Sequence, residues 1–253
     1  RYELETFVCD GQYEKGIETI LDKFLLNLGN KAEQPGVWIS GFYGSGKSHL
    51  AKMLRTLWTD YAFADGATAR SIARLPQGVA AQLKELSTHG KRQGGLHAAA
   101  GKLGSGAGNN VRLALLSVIF KSKGLPAQYN QAQLQMWLQR EGILDAVRAD
   151  LQAEGRTLEK TLPEMYVSQS LAQSLLKHRP DLAASQKDLR LILKNQFPEV
   201  ADISSDQLVA AIEAALVEGG KFPLTLVVLD EVQQYIGSDA EKAFQVQEVT
   251  ETL

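Results

Sequence analysis

Eight consecutive residues, Gly41-Phe42-Tyr43-Gly44-Ser45-Gly46-Lys47-Ser48, constrain this chain more than any other part of it. They satisfy every fixed position of the phosphate-binding pattern G-x-x-x-x-G-K-[S/T]. Small, flexible positions let main-chain N–H groups curl around phosphate oxygens. The lysine of such a loop reaches the β- and γ-phosphates, and the serine hydroxyl ligates Mg²⁺. A helix starting inside the loop turns its positive end toward the anion. In a chain of 253 residues the pattern arises by chance on the order of 1% of the time.

The flanking sequence fits the motif. Gly36-Val37-Trp38-Ile39-Ser40, entered from Pro35, reads as a short strand. Leu50, Met53, Leu54, Leu57 and Trp58 recur at helical spacing and predict a helix over 49–58. A plain glycine turn between a strand and a helix has no need of Lys47 and Ser48 together.

A nucleotide site also needs an acidic element. Leu224 to Leu229 form an almost unbroken apolar run that ends in Asp230-Glu231. Such a run reads as a strand buried on both faces of a parallel sheet. Ligands of open α/β sheets bind beyond the C-terminal strand ends. There Asp230 would hold Mg²⁺, directly or through its water, and Glu231 would orient and deprotonate an attacking water. The plainer alternative is that both carboxylates cap the following turn. Asp-Glu, rather than a lone aspartate, points to the P-loop NTPases that keep a catalytic glutamate on this strand: ring and switch ATPases, helicases and recombinase-like motors. No guanine-reading N-K-x-D segment occurs, so the expected nucleotide is ATP.

Charge and cysteine content narrow the setting. Lysine and arginine number 27 against 29 acidic residues, so no global basic field announces nucleic-acid binding. Cys9 is the only cysteine, which excludes an internal disulfide and favours a cytoplasmic protein. No apolar stretch approaches the ~18 residues of a membrane span, and no signal peptide is visible. The chain starts at Arg1 without methionine and stops inside an expected helix after the acidic strand. Because an ATPase core needs at least one more strand, a fragment of a longer protein is expected.

Along the chain, Ile17, Ile20, Leu21, Phe24, Leu25 and Leu28 make a helical stripe ended by Gly29-Asn30. Thr6 to Tyr13 reads as a loop ahead of it. Phe7, Val8 and Tyr13 either contact adenine or pack against the sheet. Residues 59–95 suggest two helices broken at Leu75-Pro76, with a flexible basic loop from His89 to Gly95 that is either solvated or set against DNA phosphates. Leu96 to Ala100 suggest a core strand, and Gly101 to Gly108 a mobile turn. Residues 109–218 read as helical, with breaks at Gly124-Leu125-Pro126, Gly155, Pro163, Pro180 and Pro198. Lys47 and Asp230 lie 183 positions apart (230 minus 47), far more than a minimal core needs, so a helical insertion is expected between them. His49, His89, His97 and His178 show no metal-ligand or triad spacing.

The strings Leu4-Glu5-Thr6-Phe7-Val8-Cys9-Asp10-Gly11-Gln12-Tyr13-Glu14-Lys15-Gly16, Gly41 to Leu54 and Leu229-Asp230-Glu231-Val232-Gln233-Gln234-Tyr235-Ile236-Gly237 resemble the BREX phage-defence P-loop family (BrxC/PglY). Val111 to Leu116 and Gly124-Leu125-Pro126 add to the likeness. The resemblance implies an N-terminal fragment of a large cytoplasmic AAA+ ATPase that works beside a DNA methyltransferase and other defence components. It carries Lys47, Ser48, Asp230 and Glu231 over to their usual roles. It supplies no sensor residue or arginine finger.

The expected fold is therefore α/β, an incomplete P-loop NTPase (AAA+-like) parallel-sheet core with a large helical insertion. Residues 1–108 and 223–253 would form the core and residues 109–222 the insertion. The expected nucleotide site comprises Gly41, Gly44, Ser45, Gly46, Lys47, Ser48 and His49, with Phe7 and Val8 at the adenine. Lys47 and Glu231 are the expected catalytic residues, and Ser48 and Asp230 the expected Mg²⁺ ligands, for ATP as substrate. The expected activity is ATP hydrolysis coupled to assembly or to action on DNA. The alternative is a nucleotide-dependent scaffold or switch with little hydrolysis. A direct DNA-binding motor is a third reading. Other defence components and a second copy of the chain are the expected partners, with DNA reached indirectly and no membrane.

Overall fold

The computed structural model describes residues 1–29, 36–42, 44–103 and 110–252. In chain order the elements are α1 (Tyr2–Glu5), α2 (Gly11–Leu26), α3 (Lys47–Trp58), α4 (Ala69–Ile72), α5 (Gln77–Arg92) and β1 (Leu96–Lys102). Then come α6 (Val111–Ser122), α7 (Tyr129–Arg140), α8 (Leu144–Ala153), α9 (Leu158–Thr161), a 3-10 turn at Leu162–Glu164, α10 (Gln169–His178), α11 (Gln186–Gln196) and α12 (Ser205–Leu216). The chain continues through β2 (Leu224–Asp230), α13 (Val232–Ile236) and α14 (Ala240–Thr252). The fold is mixed α/β, mostly helical, with a two-stranded parallel sheet among the described residues. The chain divides into two compact units: Arg1–Leu103 with Leu216–Leu253, and Gly104–Ala215.

In the first unit, β1 and β2 run parallel in register from Leu96 opposite Leu224 to Lys102 opposite Asp230. Helix α3 packs on both strands, and α2 packs on α5. The apolar stripes read from the sequence meet here: Ile17 and Leu21 of α2, Leu50, Leu54, Leu57 and Trp58 of α3, and Val79, Leu83 and Leu86 of α5 are all buried. Trp58 stacks edge-on against Phe24, with ring centroids 4.7 Å apart. Its Nε1–H donates to the Leu224 carbonyl at 3.0 Å. The C-terminal end of α3 is thereby tied to the first residue of β2.

Arg70 reinforces that end. Its guanidinium donates to the carbonyls of Leu57 at 2.7 Å, Trp58 at 2.8 Å and Leu83 at 2.7 Å, and to the Ser87 hydroxyl at 2.6 Å. Leu57 and Trp58 are last-turn residues of α3, whose carbonyls lack intrahelical partners. Asp60 follows the helix in the left-handed region, at φ 48°, a usual way to stop one. Gly94 allows the main chain to run against residues 221–223, where a side chain would collide with backbone. Its N–H donates to the Phe222 carbonyl, and the Leu224 N–H donates to the Gly95 carbonyl.

The regular elements of the second unit, among its described residues, are all helical. Asn110, Thr157, Ser168 and Ser185 cap α6, α9, α10 and α11, each side chain accepting an N–H of its first turn. Leu134, Leu138, Val147, Leu151, Leu171, Leu175 and Leu189 form the core. Asp150 of α8 joins α10, accepting from the Ser174 hydroxyl at 2.8 Å, meeting Lys177 Nζ at 2.5 Å and lying 2.8 Å from His178 Nε2.

Several expectations are corrected. Gly36–Ser40 is not a strand. A strand needs a partner for its N–H and C=O groups, and among the described residues β1 and β2 pair only with each other. Val37, Trp38 and Ile39 are consequently exposed, Trp38 by 60%. The apolar strand β2 is not buried on both faces: Leu224 is buried, while Thr225 to Asp230 are half-buried. The Thr6–Tyr13 loop is shorter than expected, because α1 precedes it and α2 begins at Gly11. His89 to Arg92 form the last turn of α5 rather than a loop, with Gly90 buried beneath Leu96. The strand expected to end at Ala100 continues through Gly101 and Lys102, held by the ladder to Leu229 and Asp230. Pro163 continues the chain in a 3-10 turn, where its fixed φ is accommodated and its missing N–H costs nothing. The expectations at Tyr43 and at residues 104–108 of the glycine-rich turn lie outside the described residues, as do Asn30 and Pro35.

Candidate functional site

The Gly41–Ser48 segment leads directly into α3. Gly44 and Gly46 sit at φ 80° and 82°, which glycine adopts without a steric penalty. Gly46 occupies the N-cap, and no side chain caps the helix there. Its carbonyl accepts the Leu50 N–H at 2.8 Å. The first-turn N–H groups thus have no side-chain acceptor, at the positive end of a twelve-residue helix. Lys47 folds back over its own loop. Its Nζ donates to the Gly41 carbonyl at 2.7 Å and the Phe42 carbonyl at 2.8 Å, with Ser45 Oγ at 3.5 Å. The Ser45 N–H closes a turn on the Phe42 carbonyl at 3.1 Å. Ser48 is exposed as the second residue of α3, and the Phe42 side chain is 91% exposed.

Helix α2 supports this loop. The Tyr13 hydroxyl donates to the Ser45 carbonyl at 3.0 Å. Phe7 is 4% exposed and packs edge-on against Tyr13 and His49, with centroids at 6.1 and 5.7 Å. Val8 is 66% exposed. Of the three residues weighed for adenine contact, Phe7 lies inside the core, Val8 faces outward and Tyr13 holds the loop main chain. The hydroxyl's role is not visible in the sequence, because a tyrosine on a helical stripe gives no hint of a bond 32 positions away.

The acidic residues stand at the C-terminal end of the sheet. Asp230 is the last residue of β2, and its Oδ1 accepts the Glu231 N–H at 2.8 Å. Its carbonyl accepts the Leu103 N–H at 3.4 Å. Glu231 adopts the left-handed region at φ 57°, an uncommon state for a residue with a side chain. Its carboxylate meets Lys102 Nζ at 2.5 Å, and this contact holds the Lys102 ammonium above the ordinary lysine range. Sequence reasoning missed Lys102. It placed this residue in a mobile turn, whereas the ladder sets it opposite Asp230.

The structure therefore gathers Gly41, Ser45 and Lys47 around the loop main chain, and gathers Asp230 and Glu231 with Lys102. Among the described residues no cluster of three or more His, Cys, Asp or Glu side chains is arranged to hold a metal ion, and no helix is long and apolar enough to cross a membrane. Comparison with protein-family models, curated proteins and solved structures finds no match to this chain.

Proposed function

We propose that this chain binds ATP with Mg²⁺ through the Gly41–Ser48 loop and that its parallel sheet belongs to an AAA+-like P-loop NTPase core. The observation that carries the reading is Lys47. Its ammonium is held by two carbonyls of its own loop, at the uncapped start of α3. An ammonium so placed exchanges those carbonyls for phosphate oxygens over a short reach. The two α-left glycines bring the main chain close enough for its N–H groups to follow.

The two oxygen donors are of the kind Mg²⁺ takes. Ser48 and Asp230 would hold it, one hydroxyl and one carboxylate. That is the sparse donor set this ion uses when substrate phosphates and water complete its shell, and it needs no cluster of acidic side chains. Bound there, Mg²⁺ would neutralise phosphate charge. Glu231 would orient a water and accept its proton as the water oxygen attacks the γ-phosphorus. The bond to the bridging oxygen breaks, and ADP and phosphate leave. Lys47 and the loop N–H groups would stabilise the charge that develops.

The likeness of the Leu4–Gly16, Gly41–Leu54 and Leu229–Gly237 strings to BREX phage-defence ATPases supports a role in a cytoplasmic anti-phage assembly that reaches DNA through its partners. A second reading has an observation in its favour. The Glu231 carboxylate is engaged by Lys102, which favours a nucleotide-dependent switch or scaffold that hydrolyses slowly. Turnover assays beside light scattering with and without ATP separate the two, because a switch assembles without appreciable hydrolysis.

Calorimetry of ATP and ADP with Mg²⁺, on the chain and on Lys47→Ala, tests the site. Binding by the chain and its loss in the variant is the expected result. Equal binding by both proteins, or by neither, sinks the assignment.

A further inference from the structure

The helical unit holds a cavity that the proposed nucleotide chemistry does not use. Its volume is about 330 Å³, and it lies between the end of α6, the second half of α7 and the start of α8. Two helix ends shape its rim. Gly124 and Gly142 turn the chain out of α6 and α7 at φ 68° and 70°, a left-handed state that glycine adopts freely. The carbonyls at those ends are taken: Phe120 accepts from the Leu125 N–H, and Leu138 from the Ile143 N–H.

The start of α8 is different. This helix runs ten residues from Leu144, and its N-cap, Ile143, supplies no side-chain acceptor. Leu144 and Asp145 line the cavity. First-turn N–H groups and the helix dipole favour an anion at such a place. Arg148, one turn further along α8, lines the same cavity, as does Lys123 at the end of α6. Asp145 is the carboxylate among these residues. Its side chain is 97% exposed and lies 3.5 Å from Arg148 Nη1, so it faces solvent and leaves most of the guanidinium donors open.

A helix start beside two cations describes many surfaces, and Gln135 sets this one apart. It is 5% exposed and lines the cavity. Its side-chain amide makes no hydrogen bond among the described residues. Buried amides of folded proteins have partners, and one that faces a cavity takes them from what fills it. Gln139, one turn on, lines the cavity from the same face of α7. Two amides in a row offer N–H donors and carbonyl acceptors together, which is what hydroxyl groups match.

We propose that this cavity binds a small polyhydroxylated molecule carrying one oxyanion, a sugar phosphate or a sugar acid. The oxyanion sits at the start of α8 against Arg148, and Gln135 and Gln139 hold hydroxyl groups. The volume is that of a small-molecule site at the lower end of the usual range. The site stands apart from the Gly41–Ser48 loop and does not depend on how that loop is read.

The test titrates glucose 6-phosphate, gluconate and glucose into the Lys47→Ala chain by calorimetry, so that phosphate at the Gly41–Ser48 loop does not contribute. Each titration is repeated with Gln135→Leu or Arg148→Gln added, and thermal melts confirm that the proteins are folded. Arg148 is 42% exposed, so its substitution decides the matter even where Gln135→Leu fails to fold. An anionic sugar binds at one site per chain, and glucose binds about tenfold more weakly or worse. Each added substitution weakens the anion about fivefold or more, the loss of one hydrogen bond. Which of the two anions binds separates phosphate from carboxylate. A merely structural Gln135 would shift the melting temperature and leave affinity alone. That result overturns the proposal, as does unchanged affinity in Arg148→Gln, or glucose bound as tightly as its anionic relatives. Absence of binding by all three up to about 10 mM overturns it as well. None of these outcomes bears on the ATP assignment.

Discussion

The Tyr13 hydroxyl donates to the Ser45 carbonyl at 3.0 Å, and the same hydroxyl fills the space that a side chain at Gly46 would occupy. One residue of α2 thus fixes the loop by a bond and by exclusion. Gly46→Ala has to accommodate a left-handed alanine, costing about 1 kcal/mol or more, and also displace Tyr13. The expected result is ATP affinity reduced about tenfold or more, equivalent to roughly 1.4 kcal/mol, with the protein still folded by circular dichroism. Tyr13→Phe removes the bond alone and costs about 1 kcal/mol. Calorimetric affinities unchanged in both variants would show that the loop shape does not depend on this pair.

Trp58 links the same helix to the sheet. Trp58→Phe keeps an aromatic ring beside Phe24 but removes the Nε1–H that the Leu224 carbonyl accepts. Leaving that buried carbonyl short of a donor costs about 1–3 kcal/mol, and Trp58→Ala, which also opens a cavity, costs about 3–5 kcal/mol. Urea denaturation measures both. A Trp58→Phe protein as stable as the parent would mean that the bond contributes nothing beyond ring packing.

Acid should loosen the helical unit through Asp150. Lys177, Ser174 and His178 hold its carboxyl well below the ordinary carboxylate range. A carboxyl lowered in the folded state stabilises the fold fully above its unfolded pKa, about 3.9. That contribution fades as pH falls through the folded value. Amide exchange in α8 and α10 is therefore expected to speed up below about pH 4, where the unfolded carboxyl takes up a proton. In Asp150→Asn those helices are expected to exchange faster at neutral pH, with a flatter acid profile. Identical profiles for the two proteins would remove Asp150 from this role.

Cys9 is expected to resist thiol reagents. Burial, assisted by the nearby carboxylates of Glu14, Asp10 and Glu18, pushes its thiol up to about 11. At pH 8 the reactive thiolate is then about one molecule in a thousand. Labelling with Ellman's reagent should be slow in buffer and immediate in guanidinium. Rapid labelling of the folded protein would show that the segment around Cys9 opens readily.

How much of this was legible in the sequence depended on how local each signal was. The stripes of α2 and α3 are written at helical spacing, and packing left them where periodicity put them. The run at Gly36–Ser40 has the residue types of a strand, but a strand is made by a neighbour as much as by its own residues, and that neighbour is not encoded within the run. At the Gly41–Ser48 loop the two left-handed glycines and the start of α3 match what the spacing of glycine, lysine and serine suggests. Lys102 and the Tyr13 hydroxyl are not readable, because each acquires its role from a residue 129 or 32 positions away. The capping residues Asn110, Thr157, Ser168 and Ser185 were present as signals and went unused.

The pairing of β1 with β2 also sets an order of events in synthesis. About 120 residues separate Lys102 from Leu224, so a ribosome needs on the order of 10 s to travel from one to the other. During that interval β1 has emerged without its mate, while the helices between them, built on neighbouring contacts, fold in far less time. The Gly41–Ser48 loop and α3 are both translated before β1. Asp230 and Glu231 arrive later, so until they do the nascent chain carries only half of the proposed nucleotide site.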